Sequence, residues 1–223
     1  MRGLKSKLWC SVSCACCQID SLTMAGTARQ IFTDIGANTV GQAVFVTATL
    51  GVTPASGSYR TELTFSGSTF APNETVKIYL NGDSGAALAT ATADSSGSFT
   101  ATARAPQSVY GARNFIGVGQ TSRKQGAASF SVEPRLVLDP TSGGVGSTVK
   151  AQGYGFGSLE QIKIRWQNPL TVFGIVTADV NGTFNGSAAI TFTVPAGAAI
   201  GDNTVLGKGL STGAKATATF TVQ

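Results

Sequence analysis

Apolar and polar side chains alternate in short runs along this chain. Val76, Ile78 and Leu80 are separated by Lys77 and Tyr79, and Ile162, Ile164 and Trp166 by Lys163 and Arg165. This is the period of two expected of a half-buried strand, whose successive side chains point to opposite faces. Asp94-Ser-Ser-Gly97 and Asp179-Val-Asn-Gly182 lie between such runs. They read as hairpin turns, with Gly supplying a positive φ and the Asp side chain capping the turn. Strands at this spacing, broken by Gly and Pro, predict sandwiches of two antiparallel sheets with about seven strands each. Trp166 falls on the third strand, where such sandwiches bury a large aromatic.

The pattern occurs twice. At an offset of 86, Pro54 and Gly57 fall on Pro140 and Gly143, and Gly67, Phe70, Glu74, Val76, Ile78 and Leu80 fall on Gly153, Phe156, Glu160, Ile162, Ile164 and Trp166. Asp94, Gly97 and Phe99 meet Asp179, Gly182 and Phe184 at an offset of 85, and Tyr110 to Val132 runs onto Ile200 to Val222 at 90. The offset drifts where loops are expected, since loops tolerate insertion. The fold class is therefore all-β, with repeats at 50–134 and 135–223. Residues 35–40 resemble 200–205, so 31–49 reads either as a partial upstream repeat, with Ala43 to Ala48 as its last strand, or as an extra strand of the first sandwich.

The run from Pro140 through Gly143, Gly146, Val149 and Gly153 to Phe156 resembles the opening of an IPT/TIG domain. Its counterpart in the first repeat keeps Pro54, Gly57, Gly67 and Phe70 but has Arg60 where Gly146 stands. The resemblance covers roughly the first third of each repeat and implies tandem immunoglobulin-like β-sandwiches. The second half of each repeat is similar to the immunoglobulin-like repeats of large bacterial surface proteins. Such domains serve as stalks, spacers and adhesin modules and share no catalytic residues, so the resemblance implies fold more than function.

Composition narrows the chemistry. Charged residues make up 12% of the chain and Gly numbers 28, a mixture suited to short strands and tight turns. The formal charge of +5 is concentrated at the start, where Arg2, Lys5, Lys7 and Arg29 face only Asp20 within residues 1–30. The pI therefore does not argue for nucleic acid. The four cysteines, Cys10, Cys14, Cys16 and Cys17, also lie in this segment, which leaves none for a disulfide within the repeats and lacks the paired spacing of a structural zinc site. Residues 1–30 have a loose leader-like outline, or read as a disordered extension. No apolar stretch is long enough for a membrane-spanning helix.

The absence of histidine removes the Ser-His-Asp triad, the Cys-His pair and the commonest general base, so no catalytic residue, metal or cofactor is expected. Asp179-Val-Asn181-Gly182 resembles the start of a calcium loop but lacks its closing Glu, and the Gly153–Gly157 run lacks the Lys and Ser/Thr of a phosphate loop. Asn73, Asn181 and Asn185 begin glycosylation sequons. Tyr59, Tyr79, Tyr110 and Tyr154 are the candidates for a sugar-stacking platform. One candidate interaction face remains. Alternation points Lys163, Arg165, Lys208 and Lys215 outward from strands that share a sheet, with no acid expected on the same strand faces. The first repeat has Lys77, Tyr79, Val118 and Gln125 at those places. The expected partners are neighbouring immunoglobulin-like domains, other copies of the chain, or an acidic surface polysaccharide. The leading expectation is a structural spacer or adhesin-type segment, extracellular or at the cell surface. Its alternatives are a carbohydrate-binding module of a secreted enzyme and a subunit of an appendage or virion.

Overall fold

The computed structural model describes residues 18–24, 27–33, 41–43 and 47–223, in two compact units, Met1–Thr47 and Ala48–Gln223. In the first unit β1 (Gln18–Met24), β2 (Thr27–Thr33) and β3 (Gly41–Ala43) form an antiparallel sheet in that order. Part of the segment read as leader-like is thus in strand, whereas the basic stretch and the cysteines lie outside the described residues. Half of the strand expected at Ala43 to Ala48 falls outside them too; Ala43 ends β3, and Thr47 and Ala48 are not in strand.

The second unit holds two sandwiches of the same topology. The first comprises β4 (Thr49–Thr53), β5 (Ser56–Gly57), β6 (Glu62–Ser68), β7 (Thr75–Leu80), β8 (Ala89–Thr92), β9 (Phe99–Arg104), β10 (Gly111–Gly119) and β11 (Gln125–Val132). The second comprises β12 (Arg135–Asp139), β13 (Ser142–Gly143), β14 (Thr148–Tyr154), β15 (Gln161–Trp166), β16 (Thr171–Thr177), β17 (Ile190–Thr193), β18 (Gly201–Gly209) and β19 (Lys215–Val222). Sheets β4-β6-β9 and β12-β14-β17 face the five-stranded sheets β5-β11-β10-β7-β8 and β13-β19-β18-β15-β16. The eighth strand arises because the first strand breaks and changes sheets: β4 pairs antiparallel with β6, then β5 runs parallel to β11. Pro54 and Pro140 stand at the break, where the chain leaves one ladder and a missing N–H costs no ladder bond.

The alternation seen in the sequence packs the space between the sheets. Leu63, Phe65, Val76, Ile78, Phe115 and Phe130 fill one core, and Phe156, Ile162, Ile164, Trp166, Phe184 and Phe220 fill the other. Each such side chain contributes about 1.5–3 kcal/mol by leaving water. Trp166 is fully buried, and its Nε1 donates to the Asn168 carbonyl at 2.9 Å, so its one polar atom is satisfied.

The Asp-Gly turns cap as expected but join different elements. β8 and β9 belong to opposite sheets, as do β16 and β17, so each turn lies on an arch across the sandwich and not in a hairpin. Asp94 Oδ1 accepts from the Ser96 and Ser98 amides at 2.8 and 3.0 Å, and Asp179 Oδ1 from those of Asn181 and Thr183 at 2.8 and 2.9 Å. The Ser96 hydroxyl, with these amides, holds the Asp94 carboxyl below its ordinary value. Gly97 and Gly182, at φ of 78° and 72°, press against the Phe70 and Phe156 carbonyls, where a Cβ has no room.

A second repeated acid closes the sandwich at one end. Glu74 is buried in the loop before β7, where it accepts from the Ala71 amide at 2.6 Å and from the Thr121 and Ser122 amides at 3.1 and 2.9 Å. Glu160 takes the same place before β15, accepting from the Gly157, Ser211 and Thr212 amides at 2.7, 2.9 and 2.6 Å and from both hydroxyls. Each carboxylate therefore ties the tip of the β10–β11 or β18–β19 hairpin to a loop on the neighbouring strand. Gly119 and Gly209 lie where any Cβ would strike the carboxylate. Burial disfavours the charge on each Glu, but the converging donors outweigh it and hold both carboxyls below their ordinary value of 4.5.

Replacing Trp166 with Ala should cost about 3–5 kcal/mol, whereas Lys163→Ala, on the opposite face, should change stability by less than about 0.5 kcal/mol. Denaturant titration distinguishes them, and equal small effects would mean that the indole is not part of the core. Glu160→Gln turns an acceptor into a donor facing other donors and should cost about 2–3 kcal/mol. The native state favours the ionised form of a carboxyl whose folded pKa is depressed. This stabilisation is complete above the ordinary value of 4.5 and is lost as pH falls through the lower folded value. Acid titration of stability should be shallower for Glu160→Gln than for the wild type; identical profiles would remove Glu160 as the acid-sensitive contact.

Candidate functional site

The structure gathers all four predicted cations on the outer face of the second five-stranded sheet. Lys163 lies opposite Lys208, and Lys208 opposite Lys215. Three ammonium groups thus form one row across β15, β18 and β19, on strands about 4.8 Å apart. Arg165 stands in the next row, opposite Leu206, which itself lies opposite Thr217. Lys208 and Lys215 are exposed, Lys163 and Arg165 half-buried, and the shielded Arg165 Nε makes no hydrogen bond. Like charges directly across a ladder repel, so the row opposes the fold that presents it.

The expectation that no acid shares this face needs correction. Asp202 alternates in phase with Thr204, Leu206 and Lys208 on β18 and so lies on the same face, where it accepts from the Thr221 hydroxyl at 2.7 Å. Six residues of strand hold it about 20 Å from Lys208, too far to neutralise the row through solvent. In the first sandwich the corresponding row is Lys77, Val118 and Gln125, and Tyr79 replaces Arg165. Val118 and Tyr79 are buried there, so an apolar cover stands in place of the charges.

The tyrosines do not form an open sugar platform. Tyr79 is buried, and the other three gather where the two sandwiches meet. The Tyr59 and Tyr154 rings stack with centroids 4.5 Å apart, and the Arg60 guanidinium lies 5.2 Å from the Tyr59 ring. Arg135 donates to the Tyr59 carbonyl at 3.1 Å, and the Tyr110 amide donates to the Phe156 carbonyl at 2.9 Å. Gly155, at φ of 73°, places the position of a Cβ 2.7 Å from the Glu133 carbonyl oxygen. A side chain at Gly155 would push the sandwiches apart.

The remaining motifs resolve into fold elements. The Asp179 oxygen facing Asn181 is occupied as a turn cap, and no group of three acidic, Cys or His side chains converges among the described residues. Gly153 lies against the Phe184 ring and exchanges both backbone hydrogen bonds with that residue, which makes the glycine-rich run a close packing point. Asn73 and Asn181 are exposed and Asn185 is partly so. No helix among the described residues is long and apolar enough to cross a membrane.

Residues 46–132 match the family model of the macroglobulin-like domain, a span that takes in all of the first sandwich. No curated protein gives a significant match. Among solved structures, the D0-D1 domain of intimin is 15% identical over 79% of this chain and 100% of its own, with a TM-score of 0.30. The polymeric immunoglobulin receptor ectodomain of a teleost fish is 13% identical over 78% of this chain and 98% of its own, at 0.32. InvD of Yersinia pseudotuberculosis is 16% identical over 79% of this chain and 57% of its own, at 0.29. The family match thus falls on a macroglobulin-like domain and not on IPT/TIG. The strand order, the two face-to-face sheets and this match make the second unit a pair of immunoglobulin-like β-sandwiches.

Proposed function

We propose that this pair of sandwiches is a non-catalytic, stiff spacer or adhesin-type segment of a surface or secreted protein. The observation that carries the reading is the junction. Only Glu133 and Pro134 separate β11 from β12. Sandwiches joined by a linker move relative to each other unless their interface holds them. Here the ring stack, the Arg135 hydrogen bond, the Tyr110 amide and the close approach at Gly155 oppose that motion, and Pro134 restricts the backbone between the strands. A segment whose task is to hold its ends at a fixed separation needs this property. A catalytic or sugar-binding domain has less need of it. Using Tyr59 and Tyr154 against each other also withdraws the two rings best suited to sugar stacking. Repeated construction and strands rich in Ser, Thr and Gly support the surface or secreted location. The finer assignment of the second sandwich to IPT/TIG rests on the run Pro140 to Phe156.

Residual dipolar couplings measured on the full chain should fit one alignment tensor for both sandwiches. Tyr154→Ala combined with Arg135→Ala should separate them into two tensors while leaving each core folded. Independent tensors in the wild type would reject the spacer reading.

A further inference from the structure

The two five-stranded sheets end differently. In the first sandwich the outer strand β8 is four residues long and made only of Ala and Thr. In the second, β16 runs for seven residues without charge or proline and pairs only with β15. Leu170, Val172 and Ile175 project from this edge at 66%, 56% and 52% exposure. Proteins protect such edges with charges, prolines, shortening, bulges or a cover; β16 carries one bulge but no charge or proline, and no second strand among the described residues pairs with it.

A register shift on β16 determines which face these side chains take. Opposite Ile164 and Arg165 the strand carries one extra residue, Phe173. Its ring turns into the core, stacked on Phe192 at 3.9 Å and edge-on to Trp166 at 6.4 Å. Val172 then lies opposite Arg165, and Ile175 opposite Lys163. Both apolar side chains therefore share the outer face with the cations. Reading inward from the edge, one row is Ile175, Lys163, Lys208 and Lys215 and the next is Val172, Arg165 and Leu206. An unpaired ladder, exposed apolar side chains and uncompensated positive charge thus coincide in one place, and only in the second repeat.

We infer that the β16 edge accepts an added strand from a partner: an extended polypeptide segment in which apolar residues alternate with acidic ones. The main chain of that segment takes the free ladder groups; its acidic side chains, which all fall on the outer face, lay their methylene stems over Val172 and Ile175 and turn their carboxylates toward Lys163 and Arg165, while its apolar side chains fall on the opposite face. Strand addition of this kind draws affinity from the backbone and specificity from the alternating side chains. A second copy of this chain fits poorly, because edge-to-edge pairing would bring Lys163 and Arg165 toward their own copies. A polyanionic glycan would use the lysine row but neither the ladder groups nor the apolar rim. Single-stranded nucleic acid needs exposed rings to stack on, and Phe173 and Trp166 both face inward. The inference concerns one edge of one sandwich and does not depend on the spacer reading, which the dipolar couplings test separately.

The test uses the full chain and two short synthetic peptides, one alternating valine with glutamate and one alternating valine with lysine. The glutamate peptide should bind, protect β16 amides from hydrogen exchange, and lose affinity as salt is raised. The lysine peptide should not bind. Lys163→Gln/Arg165→Gln, which keeps most of each side-chain stem, and Val172→Ser/Ile175→Ser should each weaken binding about tenfold, the effect of 1.4 kcal/mol. A dispersed amide NMR spectrum verifies that both variants are folded. Three results would overturn the inference: β16 amides that exchange equally fast with and without the glutamate peptide, undiminished binding by the serine variant, or dimerisation of the chain alone through β16.

Discussion

A buried carboxylate saturated with hydrogen bonds holds each sandwich closed. In a two-sheet fold the hairpin joining the last two strands is free to fray, because its tip makes only local contacts. Glu74 and Glu160 each reach from the loop before the third core strand to that tip, over sequence separations of 47–48 and 51–52 residues. Taking a carboxylate out of water is costly, and only the convergence of several N–H and O–H donors makes it favourable. The arrangement fixes the end of β10 or β18 against β7 or β15, the strands whose registry places the outer-face side chains. The cation row and the bare apolar edge of the second sandwich both lie on strands held by this contact.

Much of this was legible in the sequence, for a specific reason. Period-two alternation reports which face a side chain takes, so Trp166 inward and Lys163 outward followed directly, and the repeat offset paired Glu74 with Glu160. Distant geometry was hidden. The distant partners of the two glutamates are chiefly backbone amides about fifty residues away, and amides leave no mark on a sequence. Asp94 and Asp179 signal a capped turn whether the flanking strands share a sheet or face each other, so the motif does not separate an arch from a hairpin. The break between β4 and β5 leaves a two-residue strand too short to show any period.

The role of the tyrosines is hidden from the sequence for a different reason. A residue serving the fold of a repeat recurs in every copy, whereas one serving the contact between copies occurs once for each contact. Tyr59 and Tyr154 do not align with each other, so the repeat alone gives them no shared role. Two copies have only one junction between them, and the unduplicated rings stack there. Asymmetry between repeats therefore has two physical origins here, the junction and the outer face.

The outer face carries the asymmetry further. Where the first sandwich buries Tyr79 and Val118 on its outer sheet, the second exposes a row of like charges beside an uncharged edge strand. Each of these features is unfavourable in isolation: the row through repulsion, the edge through unsatisfied ladder groups and apolar exposure. The fold does not require them, since the first sandwich reaches the same topology with no row of like charges and with a short outer strand, β8, made of small residues. They are also coupled through one extra residue, because the bulge that buries Phe173 brings Val172 and Ile175 onto the side of Lys163 and Arg165. Two unfavourable features aligned by a local irregularity form a surface that a single extended, acidic and apolar ligand would relieve at once, whereas random drift of surface residues gives no reason for them to coincide.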